Sequence, residues 1–234
     1  MANKRTKMNK GYIYNEQIPM FGHKEVIGYG TDEFYVKKIY RKLANKIIMT
    51  NHYSKKYFNN SFIHLGVFIK SELIGVLQFG HLLNNLSASN IVEGSKSGNF
   101  IELNRMWLDD KAKRNSESKA ISYSIKYINS KFPKVKWIQS FADERCGGFG
   151  IVYQACSFSY FGEHIATFYT DGKRFFHNIQ VTASRNKAGT QVKNKEDLDK
   201  VELRQFRYIK FIDYRWKKKC LLKEKPYPKH YKKP

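Results

Sequence analysis

The sequence predicts a mixed α/β protein, one sheet with helices on both faces. Three observations carry this prediction. Short apolar runs with strand character alternate with segments of helical periodicity along most of the chain. The clearest block, Phe100 to Gly162, reads strand, polar turn, helix, strand, acidic end, glycine-rich turn, helix. A chain of 234 residues with 41% hydrophobic content can bury one sizeable core, so a single domain with a small extension is expected.

The elements follow in chain order. Residues 1–11 are basic and polar and read as a loose arm, and residues 1–30 form an arm and first-strand region. Thr31 or Asp32 can cap a helix whose apolar side is Val36, Ile39, Tyr40, Leu43 and Ile47, ending near Asn51-His52-Tyr53-Ser54. Phe62–Ile69 and Leu73–Phe79 are strand-like, and the short Lys70-Ser71-Glu72 link makes them a hairpin. Leu82–Asn99 is rich in Asn, Ser and Gly and reads as a long functional loop. Phe100–Leu108 is a strand, and Ser116–Lys131 a helix capped by Asn115 or Ser116 that buries Ile121, Ile125, Ile128 and Phe132. Val135–Phe141 is the next strand and Gly150–Cys156 the core of the next helix. His164–Tyr169 and Lys173–Asn178 flank Asp171-Gly172, the strongest local hairpin signal. Residues 183–200 are polar and charged, Leu203–Asp213 is a final strand, and residues 214–234 form a basic aromatic tail.

Charge narrows the function classes. The 43 Lys and Arg against 20 Asp and Glu give a formal net charge of +23, which implies a polyanionic partner, nucleic acid or an anionic membrane. No stretch approaches the ~18 apolar residues that span a bilayer, no basic amphipathic helix of adequate length appears, and no secretory signal is recognisable, so no membrane role is expected. The three cysteines are odd in number and lack metal-ligand spacing. A reducing cytoplasm fits, with Cys146 and Cys156 expected as buried, inert thiols.

Several residues could carry chemistry. His52, followed by Tyr53 and Ser54, is either a proton-transfer group or a solvated loop histidine. Arg105 stands in an apolar strand and either clamps an anion or pairs internally with Glu102 or Asp143. Arg114, Asn115, Ser116 and Ser118 lie at a helix start, where backbone N–H groups can hold an anion or a cap can use the hydroxyls. Asp143 ends a strand before a glycine-rich turn and either caps the next helix or accepts a proton from an amine. Tyr153 is either core or a general acid. Gly147-Gly148-Phe149-Gly150 lacks dinucleotide-fingerprint spacing and suits close backbone approach or a simple turn. The tail interleaves basic and aromatic residues and suits phosphate contact and base stacking.

The element order resembles the acetyltransferase-like (GNAT-related) architecture, in which a helix N-terminus holds the pyrophosphate of coenzyme A and a later helix carries a tyrosine near the leaving thiol. The usual Gly-x-Gly turn is replaced here by Arg114-Asn115-Ser116-Glu117-Ser118, and Glu117 has the wrong charge to face an anion.

Asn51-His-Tyr-Ser54, Glu102-Leu-Asn-Arg-Met-Trp-Leu108, Ser116-Glu-Ser118, Ser140-Phe-Ala-Asp143 and Tyr153-Gln-Ala155 occur in one order and spacing. Over roughly residues 45–180 the set resembles the Mom family of Mu-like bacteriophages. That resemblance implies an acetyltransferase-like catalytic domain at 31–213 and a DNA-modifying transferase in the cytoplasm of the infected bacterium. Its reaction converts adenine in double-stranded DNA, flipped out of the stack, to N6-carbamoylmethyl-adenine, which shields the phage genome from restriction enzymes. The implied catalytic residues are His52, Tyr53, Arg105, Ser118, Asp143 and Tyr153. Donor-binding falls to Arg105, Arg114, Asn115, Ser116 and Ser118, with acetyl-CoA or a related donor. Iron has been suggested for the family, and His52 with Asp143 would be its ligands here. Oligomeric state is open, with a dimer allowed. The rival readings are an acyl-CoA-dependent N-acetyltransferase acting on a protein or small-molecule amine, and a non-enzymatic DNA-binding protein. An adenine methyltransferase is disfavoured because no Asp-Pro-Pro-Tyr-like motif is present.

Overall fold

The structure, a computed structural model, describes residues 10–15, 24–82, 84–146, 148–173, 175–177, 181 and 195–228. Residues 1–9 of the arm expected at 1–11, Gly147, Asn178, most of the 183–200 segment and the end of the tail lie outside the described residues, while Gly11 already opens a strand.

Ten strands form one sheet: β1 Gly11–Tyr14, β2 Val26–Thr31, β3 Phe34–Lys38, β4 Ser61–Ile69, β5 Glu72–Gly80, β6 Phe100–Leu108, β7 Trp137–Asp143, β8 Ser159–Thr170, β9 Phe175–His177 and β10 Asp199–Phe211. The order across the sheet is β1-β2-β3-β4-β5-β6-β7-β10-β8-β9, so β10 inserts between β7 and β8. Every neighbouring pair is antiparallel except β6 and β7, which run parallel. The α/β class is therefore as expected, and the helices α1 Arg41–Asn51, α2 Ser116–Lys131 and α3 Ile151–Ala155 cover both faces.

One expectation fails. The segment after Thr31 is not helix but the β2–β3 hairpin, and α1 begins only at Arg41. Phe34 and Val36 are buried two residues apart, a strand period that outweighs the longer helical spacing. The Thr31 hydroxyl does accept from the Phe34 N–H at 3.2 Å, a local bond like a helix cap, but it closes a β-turn. The α1 helix has no side-chain cap and is held by packing instead. Ala44 and Ile48 bury against Val76, and the Gln78 amide donates to Asn45 Oδ1 at 2.8 Å.

The opposite face carries α2. Its residues Ala120, Ile121, Tyr123, Tyr127 and Ile128 join Phe34, Val36, Leu65, Leu77, Phe79 and Ile101 in the main core. Glu117 in its first turn and Lys131 in its last complement the helix dipole. The α3 helix packs beside it and buries Tyr153.

The expected tail is a packed element as far as residue 227. A 3-10 turn at Tyr214–Lys219 leads to a bridge between Cys220 and Val92, then to another between Lys225 and Tyr160. Trp216, Cys220 and Leu222 cover Leu82, Ile91, Val92, Phe100 and Trp137. The Tyr227 hydroxyl donates to the Phe158 carbonyl at 2.8 Å. This also fixes the Leu82–Asn99 loop, whose Asn85–Asn90 portion is a 3-10 turn.

No helix among the described residues is long and apolar enough to cross a membrane.

Candidate active site

The parallel pair β6–β7 is joined only at Phe100–Glu102 against Trp137–Gln139. Beyond those residues the two strands part, and the gap opens a cavity of about 320 Å³. A β-bulge contributes to its shape: Gln78 pairs with Arg105 and Phe79 with Leu103, so Asn104 is the extra residue on β6. The walls include His52, Tyr53, Arg105, Met106, Asp143 and Tyr153, with Cys146 and Gly148 at the β7–α3 turn. A larger hollow of about 400 Å³, edged by Tyr12, Asp32, Tyr35 and Lys37 on β1–β3, gathers none of these groups.

His52 ends α1. The Ser54 N–H donates to its Nδ1 at 3.1 Å, and the Ser54 hydroxyl lies 2.8 Å from the same nitrogen. With Nδ1 accepting, the neutral ring carries its proton on Nε2. Burial, reinforced by Arg105 and Arg145, pushes the imidazole pKa down to about 4, so the ring is neutral at pH 7. Tyr53 stacks beside it with ring centroids 4.2 Å apart. Desolvation of its hydroxyl end, with Cys146 and Asp143 nearby, raises its phenol above the usual range.

Arg105 spends donors on the main chain. Its Nε donates to the Lys56 carbonyl at 2.9 Å and its Nη1 to the Asn104 carbonyl at 2.6 Å. Arg105 thereby clasps the segment after α1 to β6, which keeps His52 and Tyr53 against the cavity. The expected direct pairing partners differ. Glu102 instead accepts from Asn104 at 3.2 Å and Gln139 at 3.0 Å, and burial raises its pKa.

Asp143 is buried at the end of β7 and is held by Arg145. The Arg145 Nε lies 2.9 Å from both carboxylate oxygens, Nη2 closes a second contact to Oδ2, and the Arg145 N–H donates to Oδ1 at 3.0 Å. Burial opposes the charged guanidinium, but Asp143 raises its pKa overall. Tyr153 approaches from α3 and shares a hydrogen bond with Ser140, whose hydroxyl donates to the Leu103 carbonyl at 3.3 Å across the strand gap. Burial lifts the Tyr153 phenol to about 12, so it remains protonated at neutral pH.

The backbone at Gly150 makes the α3 approach feasible. Its φ is +79°, and a Cβ there would lie 2.5 Å from a Tyr208 ring atom and 3.0 Å from Ala142 Cβ. The Tyr208 hydroxyl accepts from Gln154 at 3.0 Å and donates to the Phe149 carbonyl, which locks the turn onto β10.

The structure thus brings His52, Tyr53, Arg105, Asp143 and Tyr153 to one cavity, while Arg114, Asn115, Ser116 and Ser118 do not line it. Those four lie at the start of α2. Asn115 adopts a left-handed φ of +69° without a side-chain cap bond, and the Ser118 hydroxyl donates back to the Asn115 carbonyl at 3.0 Å. For a pyrophosphate this end offers first-turn backbone N–H groups beside Lys113 and Arg114, with the Glu117 carboxylate opposed. The fit to standard coenzyme A is therefore incomplete. Fit to iron is weaker. Among the described residues no three His, Cys, Asp or Glu side chains gather to hold a metal ion, and Nδ1 of His52 is committed to Ser54.

Two groups escaped the sequence reading. Arg145 looks like one more surface cation, although its place two residues after Asp143 puts it within local reach. Cys146, expected to be buried, is exposed at the cavity and hydrogen-bonds with Tyr53, while burial of its sulfur raises its pKa. Cys156 is buried as expected.

Comparison with known proteins agrees with this arrangement. The family described as Mom protein family matches residues 33–229. Methylcarbamoylase mom of Escherichia phage Mu is 44% identical over 211 residues, covering 88% of each chain. Among solved structures, ribosomal-protein-S5-alanine acetyltransferase from Vibrio fischeri is similar with a TM-score of 0.50 at 12% identity, over 81% of this chain and 98% of that one. Arabidopsis thaliana NAA60 in complex with a bisubstrate analogue gives 0.51 at 12% identity, over 76% and 97%. The same enzyme in complex with acetyl-CoA gives 0.50 at 13% identity, over 76% and 99%. The fold is acetyltransferase-like (GNAT-related).

Proposed function

Because this chain belongs to the Mom protein family, we propose that it is a transferase converting adenine in double-stranded phage DNA to N6-carbamoylmethyl-adenine, which protects that DNA from host restriction enzymes. The observation that carries this reading is the 44% identity to a phage methylcarbamoylase over most of both chains. The +23 charge suits a DNA substrate, and the cytoplasm of the infected host is where such DNA is met. The reactive N6 lies inside the base stack, so the adenine is flipped into the cavity at a cost of a few kcal/mol that protein contacts offset.

The chemistry follows from the groups present. The lone pair of N6 is delocalised into the ring, so N6 needs help to attack. A bond forms between N6 and the donor carbon, the bond from that carbon to its leaving group breaks, and N6 loses a proton. Asp143 is the group for that proton, because Nδ1 of His52 already accepts from Ser54 and its Nε2 carries hydrogen. His52 is then a neutral hydrogen-bond donor. Tyr153, protonated at neutral pH, supplies a proton to the leaving group. For the donor we propose a coenzyme A-like carrier of a complete carbamoylmethyl unit rather than acetyl-CoA itself, entering where β6 and β7 part, with the α2 start as its phosphate end. The carbamoylmethyl group joins N6 through a methylene carbon and ends in an amide, whereas a simple acetyl thioester delivers a carbonyl carbon and has no amide nitrogen, so the donor brings that nitrogen with it and carries its leaving group on the methylene carbon.

The test is nucleoside mass spectrometry of DNA co-expressed with the protein. An adenosine heavier by one carbamoylmethyl group is expected. Asp143→Asn should lower that yield by about 100-fold or more, the range for loss of a general base, with DNA affinity retained. Unmodified DNA from the intact protein, or full modification by Asp143→Asn, overturns the assignment.

A further inference from the structure

Beside the cavity, three aromatic rings from three separate elements surround one guanidinium. The Arg145 Cζ lies 4.2 Å from the Phe168 ring centroid on β8, 5.3 Å from Tyr53 after α1, and 5.7 Å from Phe175 on β9. These rings are not equivalent. Phe168 is 2% exposed and supports the guanidinium from within, whereas Tyr53 is 53% and Phe175 45% exposed. Arg145 itself is pinned to both oxygens of Asp143, so its plane is fixed rather than swinging in solvent. Two half-exposed rings therefore stand around a fixed cationic plane whose Nε–Nη2 edge holds the carboxylate of the cavity.

We propose that Tyr53 and Phe175, with Arg145 as the floor between them, form the platform on which the flipped acceptor base docks before its amino group meets Asp143. This rests on the reading of the chain as a DNA-modifying enzyme and adds residues to it, since Phe175 and Arg145 have no role in that reading. The chemistry matches a purine. An extruded base presents two π faces and an amino edge, and it is held by stacking on aromatic rings or on a guanidinium plane while its edge meets polar groups. Phosphates are a poor match for this surface, because Phe175 has no donor and the guanidinium is already bonded to Asp143. Position supports the same assignment. Tyr53 and Asp143 both line the cavity, and Arg145 joins Asp143 directly to the Phe175 ring.

Phe175 is the residue to change, because its ring is half exposed and its loss leaves the core intact. Two readouts apply to Phe175→Ala and Phe175→Trp in the full chain. The first is modification of co-expressed DNA. The second is the ratio of affinities for a duplex with one adenine opposite an abasic site and the same duplex abasic on both strands. The charges of these duplexes are equal, so the ratio isolates base docking. Intact protein should favour the adenine-bearing duplex. Phe175→Ala should reduce that preference and the modification yield by roughly 5- to 150-fold, the span of one base–aromatic stack, with an unchanged melting temperature. Phe175→Trp should restore both. An Ala variant with the full preference and full modification overturns the platform while leaving the enzymatic reading intact. Unmodified DNA from the intact protein overturns the enzymatic reading, and the affinity ratio still decides whether a base docks here.

Discussion

At the scale of single residues, His52 makes a prediction about stability. Its pKa is about 4 when folded, against an ordinary value of 6.5. Between those values the unfolded chain binds a proton that the folded chain refuses, so unfolding is favoured as pH falls. The contribution is fully present above pH 6.5 and lost by pH 4, and the shift of about 2.5 units corresponds to at most ~3 kcal/mol. Denaturant midpoints measured from pH 4 to 7 should therefore rise, and His52→Gln should flatten that rise; an unaltered slope would exclude His52 as its source. This property was not legible in the sequence, where His52 was open to being a solvated loop residue. It depends on Arg105 clasping Lys56 and on Arg145 reaching Asp143, contacts between segments far apart in the chain. The same holds for the site as a whole. His52 and Asp143 are nearly a hundred residues apart, and only the strand gap joins them.

At the scale of elements, the β7–α3 turn is the sensitive point. Gly150→Ala would force a Cβ into the Tyr208 ring at a backbone angle that disfavours any side chain. Overpacking with such strain should cost about 2–4 kcal/mol and displace Tyr153. Thermal unfolding should show the loss, and a crystal structure should show α3 moved from β10; a variant with unaltered stability would mean that the turn relaxes freely. Element types were mostly readable. Phe100–Leu108 and Ser116–Lys131 appear with the expected bounds because each has a long, clean period. The β2–β3 hairpin was misread because Val36, Ile39, Tyr40 and Leu43 also fit a helix, and pairing with β4 decides between them. How the basic tail packs was not legible, because its docking depends on bridges from Cys220 to Val92 and from Lys225 to Tyr160, residues far away in the chain.

At the scale of the whole molecule, charge dominates. A net charge of +23 predicts that DNA affinity falls steeply with salt. If six to ten phosphates are neutralised, the dissociation constant should rise by about 10³–10⁵ between 50 and 200 mM salt. Fluorescence anisotropy at four salt concentrations would measure the slope, and a nearly flat line would rule out a backbone-dominated contact. This property was fully legible from composition. Which surface meets the duplex was not, since cations are spread through α1, the α2 start and the 214–219 turn.

The place of β10 has a consequence in time. It is the last strand in the chain among the described residues, yet it lies between β7 and β8. A ribosome has already released Asp143 and Arg145 when it reaches Asp199, but β8, which carries Phe168, is joined to β7 in the sheet only once β10 pairs with both. At ~5–20 residues per second, several seconds separate the first side chains of the cavity from the strand that assembles them. A nascent chain is thus inert toward DNA chemistry until β10 has been made and paired. A truncation between Phe158 and Phe211 should abolish modification of co-expressed DNA even though every residue lining the cavity is present.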